Sequence, residues 1–181
     1  MPHRIIGVTG FRCAGKATVA EYLAQRTGYR KFDISDDIVW PLARQRGITD
    51  LEDTLVLVRN ELTDDYMNGR TTEAIDAAPS GIVVSSLRML AGYEFLKQRY
   101  GEEFVLMYLH AHQEVRFQRS LLRAREGDKK TLGDFSEYEW REIQQYKTDE
   151  LINRASVVVV NSGTPEVLFR QLDAHLACGN L

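Results

Sequence analysis

The amino-acid sequence predicts an α/β fold, namely a three-layer α/β/α sandwich around a parallel sheet of about five strands. Short apolar runs of strand type alternate along the chain with longer segments whose apolar residues recur at helical spacing. The runs are rich in β-branched residues, as in Ile82–Val84 and Val157–Val160, which is typical of strands covered on both faces. Because strands and helices alternate, successive strands are expected to run parallel.

The composition of the 181-residue chain is that of an ordinary globular protein, with 44% hydrophobic and 27% charged residues. We expect a single domain over residues 1–181. The formal net charge of −3 gives no overall attraction to nucleic acid or to an acidic membrane. The apolar start leaves no room for a signal peptide, and no apolar run has membrane-spanning length. Cys13 and Cys178 are expected to be reduced thiols, so a cytoplasmic location is expected.

The most specific motif of the chain follows the first predicted strand. Gly10-x-x-x-x-Gly15-Lys16 matches a phosphate-binding loop, and Lys16 opens a helix expected to reach about Arg26. Glycines allow consecutive backbone N–H groups to surround a phosphate, the helix N-terminus adds partial positive charge, and Lys16 supplies a mobile cation. The residues predicted to hold phosphates are Gly10, Cys13, Ala14, Gly15, Lys16, Ala17 and Thr18.

One loop residue is a candidate magnesium ligand. The usual pattern has serine or threonine directly after the lysine, whereas this chain has Ala17 there and Thr18 next. We expect the Thr18 hydroxyl to bind Mg²⁺, with Asp33, Asp36 or Ser85 acting through water.

Acidic residues follow the second predicted strand, Lys31–Ile34, and two roles are open to them. A carboxylate among Ser35, Asp36 and Asp37 can orient an acceptor hydroxyl, act as a base or hold a metal through water, and Asp37 is the catalytic candidate. The same residues can cap the next helix instead. Asp33 is a further candidate, because a lone carboxylate in an apolar strand needs a partner.

Cationic residues follow the third strand and occupy a later helix. Arg88 stands before a predicted helix, where a cation is electrostatically disfavoured, so we expect it to clamp a phosphate or carboxylate rather than only to face solvent. Arg116, Arg119 and Arg123 share one face of a helix predicted from Gln113 to about Glu126. That face can stabilise the charge of a transferring phosphoryl group, or it can be a solvated face paired with nearby carboxylates.

The last predicted strand is followed by Asn161-Ser162-Gly163-Thr164. The amide of Asn161 and the bare backbone at Gly163 can contact an adenine ring, although the same residues suit an ordinary loop before a helix. The histidines and cysteines show no metal-ligand spacing.

Together these residues resemble the nucleoside-monophosphate-kinase-like branch of the P-loop kinases. The chain is similar in particular to dephospho-CoA kinase, to deoxynucleoside monophosphate kinases and to their archaeal and bacterial relatives. The resemblance covers almost the full length and implies a P-loop NTPase fold. It implies an acceptor-binding helical region over residues 51–79 and, over residues 113–146, a small helical lid, a segment that closes over the bound nucleotide.

The resemblance further implies an ATP-dependent phosphotransferase that uses ATP and Mg²⁺ on a small, nucleotide-like acceptor, either a nucleoside monophosphate or a molecule of the dephospho-CoA type. Arg88 would contact the acceptor or the transferred phosphoryl group. The implied catalytic residues are Lys16, Asp37, Arg88, Arg119 and Arg123, and the nucleotide-binding residues beyond the loop are Arg125, Asn161 and Gly163.

Two departures from that family keep alternatives open. Relatives often have an acid where Ser85 stands, and nucleotide kinases often have arginine where Trp40 stands. These differences favour, as an alternative, a nucleotide-binding regulatory protein with little turnover. A second alternative is a kinase acting on nucleic acid, which the basic helix favours and the negative net charge opposes.

Overall fold

The structure, a computed structural model, describes residues 3–124 and 127–181 of the chain. Its strands are β1 (Ile5–Thr9), β2 (Arg30–Asp33), β3 (Ile82–Ser85), β4 (Phe104–His110) and β5 (Val157–Val160). They form one sheet in the spatial order β2–β3–β1–β4–β5, and every neighbouring pair runs parallel. Helices pack on both faces of the sheet, so the predicted α/β/α sandwich is confirmed.

The helices agree with the predicted segments in type and approximate position. Within the described ranges, no helix has both the length and the apolar composition needed to cross a bilayer. The helices are α1 (Lys16–Thr27), α2 (Trp40–Gln45), α3 (Leu51–Asn60), α4 (Asp64–Asp76), α5 (Leu90–Tyr100), α6 (Gln113–Arg123), α7 (Leu132–Tyr146) and α8 (Pro165–Ala177).

The structure differs from the predicted helices at three places. The segment after β2 is a π-helical turn, Ser35–Val39, followed by α2, and Pro41 lies in the first turn of α2, where its missing N–H costs no hydrogen bond. The basic helix α6 ends at Arg123, because Ala124 adopts a left-handed conformation with φ 47°. The sequence also predicts a helix over residues 147–154, but the structure has a 3₁₀ turn there, Thr148–Asn153.

Alternate residues of the strands enter two separate apolar cores. On β1, Ile5 faces one core, while Ile6 and Val8 face the other. The Ile5 core includes side chains of α3, α4, α5 and α7, and the Ile6 core includes side chains of α1 and α8. Both faces of the sheet are therefore covered, which explains why the strands read as nearly continuous apolar runs.

The carboxyl ends of the parallel strands lie along one edge of the sheet. The phosphate-binding loop follows β1, which pairs with β3 on one side and β4 on the other. At the same edge, Asp33 of β2 lies opposite Ser85 of β3 in the strand register. Open α/β sheets bind their ligands at this edge. The fold therefore brings the candidate residues that follow β1, β2 and β3 together.

Candidate active site

Two glycines of the phosphate-binding loop occupy positions that reject a side chain. Gly10 has a φ of +131°, and a Cβ atom there would lie 2.3 Å from the Leu109 carbonyl oxygen. Gly15 has a φ of +100°, and its Cβ would lie 2.5 Å from the amide nitrogen of Asn161. Close packing against β4 and the segment after β5 therefore requires glycine at both ends of the loop.

Lys16 folds back over the loop that precedes it. Its side chain is buried, and Nζ donates hydrogen bonds to the carbonyl oxygens of Gly10 and Phe11, both at 2.8 Å. Burial and the charge of Arg88 lower the pKa of Lys16 to about 7, against the opposing effects of Glu142 and Asp33. Without a ligand, the ammonium group is therefore close to losing its proton at neutral pH.

Nucleotide binding is expected to take up protons at about pH 8. Lys16 has a pKa of about 7 in the free protein, so it is largely neutral at that pH, and bound phosphates raise its pKa by their negative charge. Affinity should therefore fall as pH rises from about 7 to about 9. Calorimetric titration with ATP in two buffers of different ionisation enthalpy measures this uptake. Lys16→Arg, which stays protonated, is the control, and absence of uptake by the wild type would contradict the assignment.

A cavity of about 360 Å³ opens beside the loop. Some of its lining residues belong to the loop and to charged side chains around it, and the others are mostly apolar residues from α2, α3, α4 and the segment after β3. The first set comprises Arg12, Cys13, Gly15, Lys16, Ala17, Thr18, Asp33, Arg88, Arg119, Arg123 and Glu142. The second set includes Trp40, Leu55, Val58, Met67, Asn68, Thr71, Leu87 and Met89.

Asp33 is the central carboxylate of the strand edge. Its Oδ1 accepts hydrogen bonds from the backbone N–H groups of Ser35 and Asp36, at 2.9 and 3.1 Å. Its Oδ2 accepts hydrogen bonds from the hydroxyls of Ser85 and Ser86, at 2.5 and 2.9 Å. Burial opposes ionisation, but these bonds from Ser85, Asp36 and Ser86, with the charge of Arg88, lower the pKa of Asp33. Asp33, on the neighbouring strand β2, thus places a carboxylate beside Ser85, the position where relatives often have an acid.

The structure does not bring Asp37 into the cavity. Its carboxylate is exposed to solvent and accepts a hydrogen bond from the backbone N–H of Asp33, at 2.7 Å. Asp33 accepts hydrogen bonds from the N–H groups at the start of the following helical turn. The capping predicted for Ser35, Asp36 or Asp37 is therefore shared between Asp33 and Asp37. Of the three, Ser35 and Asp36 line the cavity.

The arginines of the basic helix α6 lie in two different environments. Arg119 and Arg123 line the cavity, as predicted, and Arg123 forms two hydrogen bonds with Asp128, at 3.2 and 2.6 Å. Arg116 does not line it, because its buried guanidinium pairs in bidentate fashion with Glu139 of α7. The prediction of one converging arginine face is therefore wrong for Arg116. Arg125 lies outside the described residues.

The sequence analysis missed three further charged residues of the cavity, namely Arg12, Asp64 and Glu142. Arg12, inside the loop, is buried, pairs with Asp128 at 3.2 Å and lies 4.5 Å from the ring centroid of Tyr138. Glu142, on α7, is buried and pairs with Arg88. The position of Arg12 within the loop motif was an available signal, whereas no motif marks Glu142.

Asn161 forms a hydrogen bond with the phosphate-binding loop. Its Nδ2 donates to the carbonyl oxygen of Ala14 at 2.8 Å, and its Oδ1 accepts from Arg119 at 3.4 Å. Gly163 is exposed, with open space around it, and neither residue lines the cavity. Contact of these two residues with adenine stays a prediction.

The donor set fits a magnesium ion held together with phosphates. The Thr18 side chain is exposed within the cavity lining, and Asp33 lines the same cavity. Across residues 3–124 and 127–181, no group of three or more His, Cys, Asp or Glu side chains forms a cage for a metal. Magnesium at phosphate sites needs only one or two protein ligands and keeps several waters. Thr18 would bind the ion directly and Asp36, also in the lining, would act through water, because the oxygens of Asp33 already accept four hydrogen bonds.

The sheet order and the loop define a protein with the P-loop kinase fold. The shikimate kinase of Bacteroides thetaiotaomicron superimposes with a TM-score of 0.67 at 17% identity, over 96% of this chain and 98% of that chain. A gluconokinase of Sinorhizobium meliloti superimposes with a TM-score of 0.65 at 18% identity, over 99% of this chain and 94% of that chain. Likeness at this level of identity shows the fold alone.

The chain belongs to the AAA domain family, which matches residues 6–147, and to the UPF0200 proteins. A UPF0200 protein of Staphylothermus marinus is 31% identical over 169 residues, which cover 92% of this chain and 87% of the relative. The predicted P-loop kinase fold is thus confirmed, whereas the nucleoside-monophosphate-kinase-like branch stays a prediction.

Proposed function

We propose that this protein is an ATP-dependent phosphotransferase that acts on a small, nucleotide-like acceptor, of the nucleoside monophosphate or dephospho-CoA type. The observation that carries the proposal is that one cavity is lined both by the phosphate-binding loop and by apolar residues of α3 and α4. A phosphoryl donor on the loop and an acceptor against the helices would share this cavity. The structural neighbours, a shikimate kinase and a gluconokinase, support phosphoryl transfer to a small molecule.

The charged residues of the cavity suit in-line phosphoryl transfer. Such catalysis consists mainly of positioning the reactants and stabilising the charge of the transferring group. Lys16 and Arg119 would contact the ATP phosphates, together with Arg123 from the region of the lid. Thr18 would hold Mg²⁺, which would supply positive charge to offset the charge of the phosphates. Arg88 would contact the acceptor or the transferred phosphoryl group.

The helices α3 and α4 form the proposed acceptor-binding region. They contribute Leu55, Val58 and Met67 as an apolar wall, with Asn68 and Thr71 as polar groups in the same lining. Few polar groups within an apolar wall are typical of small-molecule sites. Adenine would lie toward Asn161 and Gly163.

Because both cysteines are free thiols, we assign the protein to the reducing cytoplasm.

The two alternatives have less support. A regulatory protein with little turnover was favoured by the absence of an acid at Ser85, yet Asp33 places a carboxylate within 2.5 Å of the Ser85 hydroxyl. The second departure, Trp40 in place of an arginine, lines the cavity and still favours the regulatory alternative. A kinase of nucleic acid needs a free basic surface, but Arg116 and Arg123 are paired with carboxylates.

ATP consumption by the purified protein with Mg²⁺ tests the proposal. The panel contains nucleoside and deoxynucleoside monophosphates and dephospho-CoA, and single-stranded DNA and RNA test the nucleic-acid alternative. We expect consumption that depends on one class of small acceptor. Tight nucleotide binding with no acceptor-dependent turnover would favour the regulatory alternative.

A further inference from the structure

A hydroxyl acceptor has to give up a proton during phosphoryl transfer, and the carboxylates of the cavity differ in their capacity to accept it. Asp33 already accepts two hydrogen bonds at each oxygen, and these bonds hold its pKa below the ordinary value. Asp37 lies outside the cavity lining and bonds to the backbone. Asp33 therefore has no oxygen ready to take a proton from a ligand, and Asp37 is too far from the cavity to do so. Asp36 and Asp64 also line the cavity, but both are exposed and solvated.

Glu142 has such an oxygen. It lies on α7, lines the cavity and is 4% exposed. Its Oε1 accepts a hydrogen bond from Arg88, whereas its Oε2 accepts none from any residue in the described part of the chain. Tyr138 and Tyr146, one helical turn before and after it, are buried and line the same cavity, so they limit the access of water to Glu142.

Arg88 places a hydrogen-bond donor beside this acceptor. Its Nε is buried, and no described residue accepts a hydrogen bond from it. Within the described residues, Arg88 thus has an N–H group without an acceptor, and its ion-pair partner Glu142 has a carboxylate oxygen without a donor. A hydroxyl group can accept from the first and donate to the second. A phosphate dianion in the same place would be repelled by the Glu142 carboxylate.

We propose that the phosphoryl acceptor is a hydroxyl oxygen and that Glu142 takes its proton while Arg88 holds the oxygen in place. This inference rests on the proposed function. The acceptor oxygen forms a bond to the γ-phosphorus of ATP as the bond to the β–γ bridging oxygen breaks. The electron pair of that bond stays on ADP, and the acceptor proton moves to Glu142 Oε2.

The first test is the phosphorus NMR spectrum of the product formed by the wild-type protein from ATP and each member of the acceptor panel. A hydroxyl acceptor gives a new phosphate monoester, and a phosphate acceptor gives a new diphosphate. We expect the monoester. A diphosphate would overturn this inference and leave the phosphotransferase assignment intact, whereas no product from any acceptor would overturn both.

The second test compares Glu142→Gln with wild type, using the acceptor that turns over. Glutamine keeps the side-chain shape and an oxygen for Arg88 but accepts no proton, so we expect kcat at saturating ATP to fall by about 10²-fold or more. Glu137→Gln, on an exposed residue of the same helix, is the matched control and should leave kcat unchanged. Unchanged kcat in Glu142→Gln, with the loss appearing in Asp36→Asn, would assign the proton to Asp36 and overturn the inference.

Discussion

Replacing Lys16 with methionine is expected to lower ATP turnover by about 10³-fold or more, the size of effect expected when a cation that stabilises the transition state of phosphoryl transfer is removed. Nζ of Lys16 donates hydrogen bonds to the Gly10 and Phe11 carbonyls of the phosphate-binding loop, where a loop lysine can contact bound phosphates. Methionine fills the same space without charge. ATP consumption at saturating nucleotide and acceptor measures the loss.

The same variant should be no less stable than wild type. In the wild type, the pKa of Lys16 is lowered to about 7 in the folded state. The folded protein therefore binds fewer protons than the unfolded chain between about pH 7 and 10.5, and the stability of the wild type rises with pH across that window. Below pH 7 the buried charge is carried in full, so methionine should stabilise most there. Thermal melts at about pH 6 and 9 test this.

Lys31→Met is the matched control, because Lys31 is also a lysine but lies in an exposed pair with Glu21. We expect its turnover to stay within about twofold of wild type, since exposed ion pairs contribute little. Full activity in Lys16→Met, or loss of folding in that variant, would contradict the role given to Lys16.

Replacing Glu139 with alanine is expected to lower the free energy of unfolding by about 3–5 kcal/mol. Glu139 is buried and accepts bidentate hydrogen bonds from Arg116, which is 3% exposed. Removing the carboxylate leaves the guanidinium charged, buried and without its main partner. Urea unfolding followed by circular dichroism measures the change.

Glu137→Ala on the same helix is the control, because its pair with Arg141 is exposed. We expect a loss below about 1 kcal/mol there. Adding Arg116→Met to Glu139→Ala should restore part of the stability, since the uncompensated charge is removed with its partner. Equal losses from Glu137→Ala and Glu139→Ala would show that the buried pair is not what joins α6 to α7.

Much of the fold could be predicted because its signals are local. Apolar runs, helical spacing and glycines gave the strand and helix positions, and the loop motif fixed which edge of the sheet holds the site. The spatial order of the strands depends on which strands pair across the sheet, and no local pattern records that. The π-helical turn Ser35–Val39 also went unpredicted, because Asp33 bonds to its first N–H groups from the preceding strand.

The candidate site was predictable where a motif exists and not where partners come from distant segments. The sequence placed Arg116, Arg119 and Arg123 on one face, but Arg116 faces Glu139, which lies on another helix. The partner of Arg88, Glu142, is likewise distant in sequence and is brought near by the packing of α7 over the strand edge. Spacing identifies a helix face; tertiary packing decides what that face contacts.

Transfer of the labelled γ-phosphoryl group of ATP is the most direct test of the proposed activity. Purified protein, Mg²⁺ and γ-labelled ATP are incubated with each acceptor, and the label is followed into the acceptor or into inorganic phosphate. A phosphotransferase with this cavity should place the label on one acceptor, and Lys16→Met should abolish the transfer. Label released only as inorganic phosphate, or retained on ATP with every acceptor, would contradict the assignment.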